Sequence, residues 1–220
     1  MKVFSIFDSI DGEVNFHGQG HPTTFIRLAG CSLDCSYCDT QYARDPDSGT
    51  DMSVKEIIRK VMESQPYKVT ITGGEPLEQQ KELEELVREL WALHVFATIE
   101  TNGAHPIPIL PCTWVADYKL KGSGMNRQMQ LDHFKYLNPD SYIKFVIANY
   151  KDYIESKEVM ARLREKGRWM KFAMSPIMPG LPASELLSWM KRDHLNSVIL
   201  NIQIHKLLDL SEDNPIKKKS

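Results

Sequence analysis

Apolar and polar positions alternate along this chain in two rhythms. Short β-rich runs recur: TTFIRLAG (23–30), YKVTIT (67–72), VFATIETNG (95–103), TWVADYK (113–119), YIKFVIA (142–148), WMKFAMSP (169–176) and SVILNIQI (197–204). Each reads as a strand, and several end in glycine or a polar turn. Helical spacing intervenes. Val54, Ile57, Ile58, Val61 and Met62 follow a Ser53-x-x-Glu56 capping box, and Leu83, Leu86, Val87, Leu90 and Trp91 stripe the segment 81–94. Segments 151–166 and 183–194 also suit helices. Repeated strand and helix units with short connections predict a parallel sheet with helices packed outside it. At 220 residues the chain is short for a closed eight-fold barrel of about 250. The expectation is an α/β fold, an open, partial parallel β/α barrel of about six β/α units. It forms one domain over 1–210, and a polar tail, SEDNPIKKKS, covers 211–220.

The polar, glycine-bearing stretches fall after strands: the loop from Cys31, then GGEP, ETNG, DYKLKGSG and SPIMPG. Loops at the carboxyl ends of parallel strands build ligand sites, so one large site is expected. Composition narrows its class. The net charge is −2 and 25% of residues are charged, which gives no reason to expect nucleic acid. No apolar run approaches the roughly 18 residues of a membrane span, and the start MKVFSIFDSIDGE lacks the basic and apolar regions of a signal peptide. A cytoplasmic protein with no membrane attachment is expected.

The candidate chemistry lies in CSLDCSYCDT, residues 31–40. Cys31, Cys35 and Cys38 crowd one loop, while Cys112 stands alone. In a reducing compartment such a cluster points to metal or redox chemistry. Thiolates suit zinc or iron–sulfur clusters. A closed zinc site wants four protein ligands, and no histidine stands at a finger-like spacing, which weighs against a zinc-stabilised binding module. Three thiolates on a four-iron cluster would leave one iron open to a substrate or cofactor. Gly73-Gly74-Glu75-Pro76 after a strand reads either as a tight turn or as a backbone surface made for close approach.

CxxxCxxC in a loop after an early strand, with GGEP some 35 residues on, resembles the radical S-adenosylmethionine enzymes. Further segments resemble one family within them, the 7-carboxy-7-deazaguanine synthases. These are Ile10-Asp11-Gly12-Glu13, residues 21–31 (HPTTFIRLAGC), Cys38-Asp39-Thr40, Thr72-Gly73-Gly74-Glu75-Pro76, Glu100-Thr101-Asn102-Gly103 and Gln203-Ile204-His205-Lys206. The likeness runs from about residue 4 to 210. Two alternative readings stand beside it: an activase of glycyl-radical enzymes, which is similarly small and shares CxxxCxxC but leaves Cys-Asp-Thr, Gly-Glu with Arg27 and Gln-x-His-Lys unexplained, and a non-enzymatic zinc-stabilised binding module.

The resemblance implies a partial barrel of the radical S-adenosylmethionine type and a radical ring contraction. The substrate would be 6-carboxy-5,6,7,8-tetrahydropterin and the product 7-carboxy-7-deazaguanine, with ammonia lost, on the way to 7-deazapurines such as queuosine. A reduced 4Fe-4S cluster would cleave S-adenosylmethionine to methionine and a 5′-deoxyadenosyl radical, which takes the hydrogen at C6 of the pterin. By the same resemblance Cys31, Cys35 and Cys38 hold the cluster and Thr40 holds magnesium. Tyr37, Asp39, Gly74, Glu75, Asp117, Tyr118, Lys119, Ser175, Pro176, Ile177 and Met178 face the cofactor. Ile10, Asp11, Gly12, Glu13, Arg27 and Thr72 face the substrate, and His205 and Lys206 close the pocket. An electron donor such as flavodoxin and a homodimer are implied. The chain departs from the family in three places: Asp11 replaces a glutamine, Asp117-Tyr118 replaces Ser-Pro, and residues continue past the His-Lys segment to Ser220.

Overall fold

The computed structural model describes residues 1–166 and 170–208. The tail expected over 211–220 lies outside the described residues. One mixed sheet of nine strands runs in the order β3-β1-β2-β4-β5-β6-β7-β8-β9. Its strands are β1 (Lys2–Ile10), β2 (Pro22–Leu28), β3 (Thr50–Asp51), β4 (Lys68–Gly73), β5 (Phe96–Thr101), β6 (Thr113–Asp117), β7 (Tyr142–Ile147), β8 (Lys171–Pro176) and β9 (Val198–Leu200). From β2 through β9 every pairing is parallel, whereas β1 runs antiparallel to both β2 and β3. Among the described residues the sheet does not close, and β3 and β9 are its two edges.

The helices are α1 (Val54–Met62), α2 (Gln80–Ala92), α3 (Tyr150–Glu165), α4 (Ala183–Arg192) and the single turn α5 (Ile204–Leu207). The Ser53 capping box is formed: its hydroxyl accepts from Glu56 N while the Glu56 carboxylate accepts from Ser53 N. That satisfies two of the donors a helix start leaves open. The run 197–204, expected to be one strand, divides, with Val198–Leu200 in β9 and Ile204 opening α5. Between β5 and β6 the chain crosses without an α-helix among the described residues. Pro106, Pro108 and Pro111 in that stretch each lack the amide a helix interior needs.

Alternation within the strands positions everything that follows. Val69 and Ile71 of β4, Ile99 of β5, Trp114 and Ala116 of β6, and Ile143, Phe145 and Ile147 of β7 pack outward into one apolar core with the buried faces of α1 and α2. The intervening residues face the concave side. There Val115 and Ala173 meet Val14 in a small second cluster, and Thr72, Glu100, Asp117 and Lys144 line a cavity. A strand whose two faces meet different surroundings reads apolar on one and polar on the other.

The open side of the barrel is bridged by side chains instead of a strand ladder. Asn201 is fully buried. Its Oδ1 accepts from Val14 N at 2.8 Å and from Gln19 Nε2 at 3.0 Å, and its Nδ2 donates to Ser175 Oγ at 3.1 Å. Gln19 Nε2 also donates to Ile202 O at 2.6 Å, and Ile204 N donates to Gly12 O at 3.1 Å. The segment after β1 is thereby tied to the segment after β9.

Candidate active site

A cavity of about 1100 Å³ opens at the carboxyl ends of the parallel strands. Its wall begins with the cysteine loop, which the backbone pins at both ends. Gly30 takes φ +99°, a region open to glycine. Gly30 N donates to Ala43 O at 2.9 Å and Cys31 N donates to Arg44 O at 3.0 Å. Within the loop Cys38 N donates to Cys35 O, and Ser36 is held by Ser123 O and Gly122 O. Cys31, Cys35 and Cys38 are half-buried on this one wall. Cys112 is buried elsewhere in the apolar core, where burial pushes its thiol well above the ordinary range.

Gly73 and Gly74 lock the loop to β4. Gly74 N donates to Leu28 O at 2.8 Å and Glu75 N donates to Gly30 O at 2.7 Å. A Cβ on Gly74 would lie 2.5 Å from Gly30 C and 2.8 Å from Gly30 N. The Glu75 carboxylate is fully buried and accepts from Leu77 N, Thr101 Oγ1 and Asn102 N at 2.9, 2.7 and 2.6 Å. Burial pushes its carboxyl up to about 7 against the pull of those donors. Glu75 thus fixes Asn102, whose Nδ2 donates to Cys31 Sγ at 3.6 Å.

Charge crosses the concave face in a line. Gln203 Nε2 donates to Glu13 Oε1 at 2.6 Å. The other oxygen, Glu13 Oε2, takes Lys144 Nζ. Lys144 also pairs with Asp117 Oδ1 at 3.1 Å, and Asp117 Oδ2 pairs with Lys119 at 2.8 Å. Burial works against the charged forms of Asp117, Lys119 and Lys144. The Asp117 carboxylate nonetheless holds the Lys119 and Lys144 ammoniums above the usual lysine range, and the two lysines hold Asp117 below its own. Among the described residues Glu100 has no such cation in direct contact. Burial and the Glu13 charge push it up to about 7, although Thr72 Oγ1 donates to it at 2.7 Å.

At the mouth Lys206 pairs with Asp39 at 2.6 Å, and Thr40 Oγ1 donates to the same carboxylate at 3.0 Å. Desolvation opposes charge on Asp39, but the Lys206 hydrogen bond and charge outweigh it and bring the carboxyl down to about 2. The Arg27 guanidinium lies 5.7 Å from the ring centroids of both Phe7 and Tyr42. Its flat, weakly hydrated cation suits that position.

A family profile described as a 4Fe-4S single cluster domain matches residues 16–103. The 7-carboxy-7-deazaguanine synthase of Clostridium acetobutylicum is 35% identical over 213 residues, covering 94% of this chain and 95% of its own length. The chain belongs to the 7-carboxy-7-deazaguanine synthase family. Synthases of that name from Methanospirillum hungatei (35% identical, 96% of this chain and 86% of the relative) and Leptospira interrogans (32% identical, 94% of each) are also similar. The crystal structure of QueE from Escherichia coli covers 92% of this chain and 93% of that one, with a TM-score of 0.72 at 22% identity. That last likeness concerns the fold. Family membership and the cluster-domain match imply a 4Fe-4S cluster and S-adenosylmethionine as cofactors.

The donor set fits that cluster. Three soft sulfurs share one wall and face space large enough for a cofactor. Among the described residues no helix is long and apolar enough to cross a membrane.

Most of the residues that resemble the synthase family's site line the one cavity. They are the three cysteines with Tyr37, Asp39 and Thr40, then Ile10, Gly12, Glu13, Arg27, Thr72, Gly74, Asp117, Lys119, and Ser175 through Met178. Three side chains do not line it. Glu75 is spent on Leu77 N, Thr101 Oγ1 and Asn102 N as described. Tyr118 packs in the core against Phe134 and Phe145, at centroid distances of 5.7 and 5.9 Å. Asp11 turns to the opposite end of the barrel, where its buried carboxylate pairs with the equally buried Lys68 and accepts from Thr70 Oγ1 at 2.8 Å. The departure from glutamine is therefore matched inside the fold, and Asp11 brings no charge to the cavity. Lys144 was missed in the sequence. Its signal was a lone charge at an inward position of the apolar run YIKFVIA.

Asp11→Asn should cost about 3 kcal/mol of stability, because a buried cation loses its partner. Burial already lowers the Lys68 ammonium below its ordinary range in spite of Asp11. A lysine whose folded-state pKa lies below its unfolded value loses stability at low pH and regains it as pH rises. The deficit should thus shrink as pH climbs toward the ordinary lysine range, measured by urea unfolding at several pH values.

Proposed function

We propose that this cavity carries out the ring contraction of 6-carboxy-5,6,7,8-tetrahydropterin to 7-carboxy-7-deazaguanine, with loss of ammonia, as a step toward 7-deazapurines such as queuosine. The observation that carries this reading is the convergence of three half-buried thiols and an inward-facing polar lining on one cavity, in a chain of this family. S-adenosylmethionine bound beside the reduced cluster supplies the radical that takes the substrate C6 hydrogen.

The chain's own residues hold and orient. Cys31, Cys35 and Cys38 hold the cluster, and Asn102 keeps one sulfur in place by its amide. Gly74, Lys119 and the strand end from Ser175 to Met178, together with Tyr37, Asp39 and Asp117, form the cofactor side. Ile10 and Gly12 offer backbone groups to the pterin, with Glu13 and Thr72 beside them. Arg27, near the Phe7 and Tyr42 rings, carries the planar guanidinium that suits a substrate carboxylate. Glu100, whose carboxyl burial and the Glu13 charge raise, can hold a proton at the substrate edge. His205 and Lys206 close the mouth.

Thr40 is proposed to give its hydroxyl to a magnesium ion that orients the substrate carboxylate, a hard oxygen for a hard cation. Thr40→Ala should weaken magnesium stimulation of turnover while sparing S-adenosylmethionine cleavage in the absence of substrate. Equal losses in the two assays would remove that role. Reduction by a flavodoxin-like donor, a homodimer, a cytoplasmic setting and a single domain over 1–210 complete the proposal. The last is supported by the unbroken sheet.

The test is an anaerobic incubation with the carboxytetrahydropterin, reductant, magnesium and S-adenosylmethionine, read by mass spectrometry. The expected result is 7-carboxy-7-deazaguanine formed together with 5′-deoxyadenosine. Cofactor cleavage that leaves the pterin intact would refute the substrate assignment.

A further inference from the structure

We propose that Lys144 is a positioning residue that couples the substrate side of the cavity to the cofactor side, so that each ligand tightens the binding of the other. The proposal rests on the functional reading above for which side is which. Its geometry is independent of that reading. Lys144 touches carboxylates from both sides, Glu13 beside the expected pterin position and Asp117 beside the expected cofactor position. Neither carboxylate is free to adjust alone. The second oxygen of Glu13 is held by Gln203 at 2.6 Å, and the second oxygen of Asp117 by Lys119 at 2.8 Å.

Each carboxylate thus has a partner at both oxygens, with Lys144 common to both: it hydrogen-bonds Glu13 and forms an ion pair with Asp117. The side chain of Lys144 is 9% exposed, and those of Glu13 and Asp117 are 10% and 15% exposed. Water screens such pairs little, so moving one partner is felt by the next. The line also spans the fold. Glu13 follows β1, Asp117 ends β6, Lys144 sits in β7 and Gln203 precedes α5. A pterin that settles Glu13 fixes the Lys144 ammonium, which then holds Asp117 where the cofactor needs it. By thermodynamic linkage the effect must be equal in both directions.

A purely structural lysine would contribute stability and nothing more. The experiment therefore reads coupling, with folding measured beside it. Cluster-reconstituted protein, kept oxidised so that no cleavage occurs, is titrated with S-adenosylmethionine and with the carboxytetrahydropterin, each alone and each with the other saturating. In the parent protein either dissociation constant should fall about tenfold when the second ligand is present. Lys144→Gln should bring that factor below about twofold while both ligands still bind, and Lys144→Arg should restore part of it. Glu13→Gln breaks the same line from the other end and leaves the Lys144–Asp117 pair intact. It should also abolish the coupling, and it carries the test if Lys144→Gln does not fold. Coupling that survives in both glutamine variants overturns the proposal, as does a parent protein that binds both ligands with no mutual effect. A parent that binds neither ligand instead overturns the functional reading, and the proposal with it.

Discussion

Cys35→Ala should reduce reconstituted iron and sulfide to background and abolish product formation, while thermal unfolding shifts by no more than about 3 °C. The asymmetry follows from where the thiol sits. Cys35 is half-buried on the cavity wall, outside the apolar core, so its removal opens no core void. Its backbone carbonyl, which accepts from Cys38 N, survives the substitution. Iron content and unfolding temperature measured on one preparation separate the two effects. Ordinary turnover in this variant would count decisively against the cluster assignment.

Gly74→Ala should damage both fold and function. The fault would be one of space, because Gly74 is not among the residues with positive φ. The added methyl would be driven into the Gly30 peptide, 2.5 Å from its carbonyl carbon. The only relief is to part β4 from the start of the cysteine loop, breaking the bonds Gly74 N to Leu28 O and Glu75 N to Gly30 O. Overpacking against rigid backbone costs about 3 kcal/mol or more. Because the same peptide precedes Cys31, cluster retention should fall with stability. Chemical denaturation and iron analysis of the variant check both. Parental values in each would show that the two segments do not pack as described.

The strands and helices were legible where their two faces meet different surroundings. β4 and β5 show an outward apolar series against the helices and an inward series rich in Thr and Glu, so the alternation is legible there; in β6 through β8 the inward residues include Val115, Val146 and Ala173 beside Asp117, Lys144 and Ser175, and it is weaker. β1 did not announce itself. Val3 packs into the core on one side, but Phe4 and Phe7 turn to the cavity on the other. With apolar residues on both faces the alternation is masked. The short extent of β9 was hidden for a related reason: Asn201, in the middle of the apolar run, is buried to serve side-chain bonds across the barrel opening.

The cavity itself was legible from glycine-bearing strand ends and the cysteine spacing. What a carboxylate does there was harder to read. Asp11 and its partner Lys68 stand 57 residues apart, and nothing local to either predicts that they meet. Glu75 sits in a segment that reads as ligand-facing, yet its three donors belong to the protein backbone and Thr101. Lys144 was overlooked because a single lysine in an apolar strand looks like an edge or surface charge until its register with Asp117 is known.

The central claim is that the protein supplies three sulfurs to a four-iron cluster and leaves one iron for the cofactor. Mössbauer spectroscopy of iron-57-reconstituted protein, with and without S-adenosylmethionine, tests it most directly. The account predicts that one iron site of the four changes its parameters when the cofactor is added. Four sites that stay unchanged, or a mononuclear metal in place of a cluster, would contradict it.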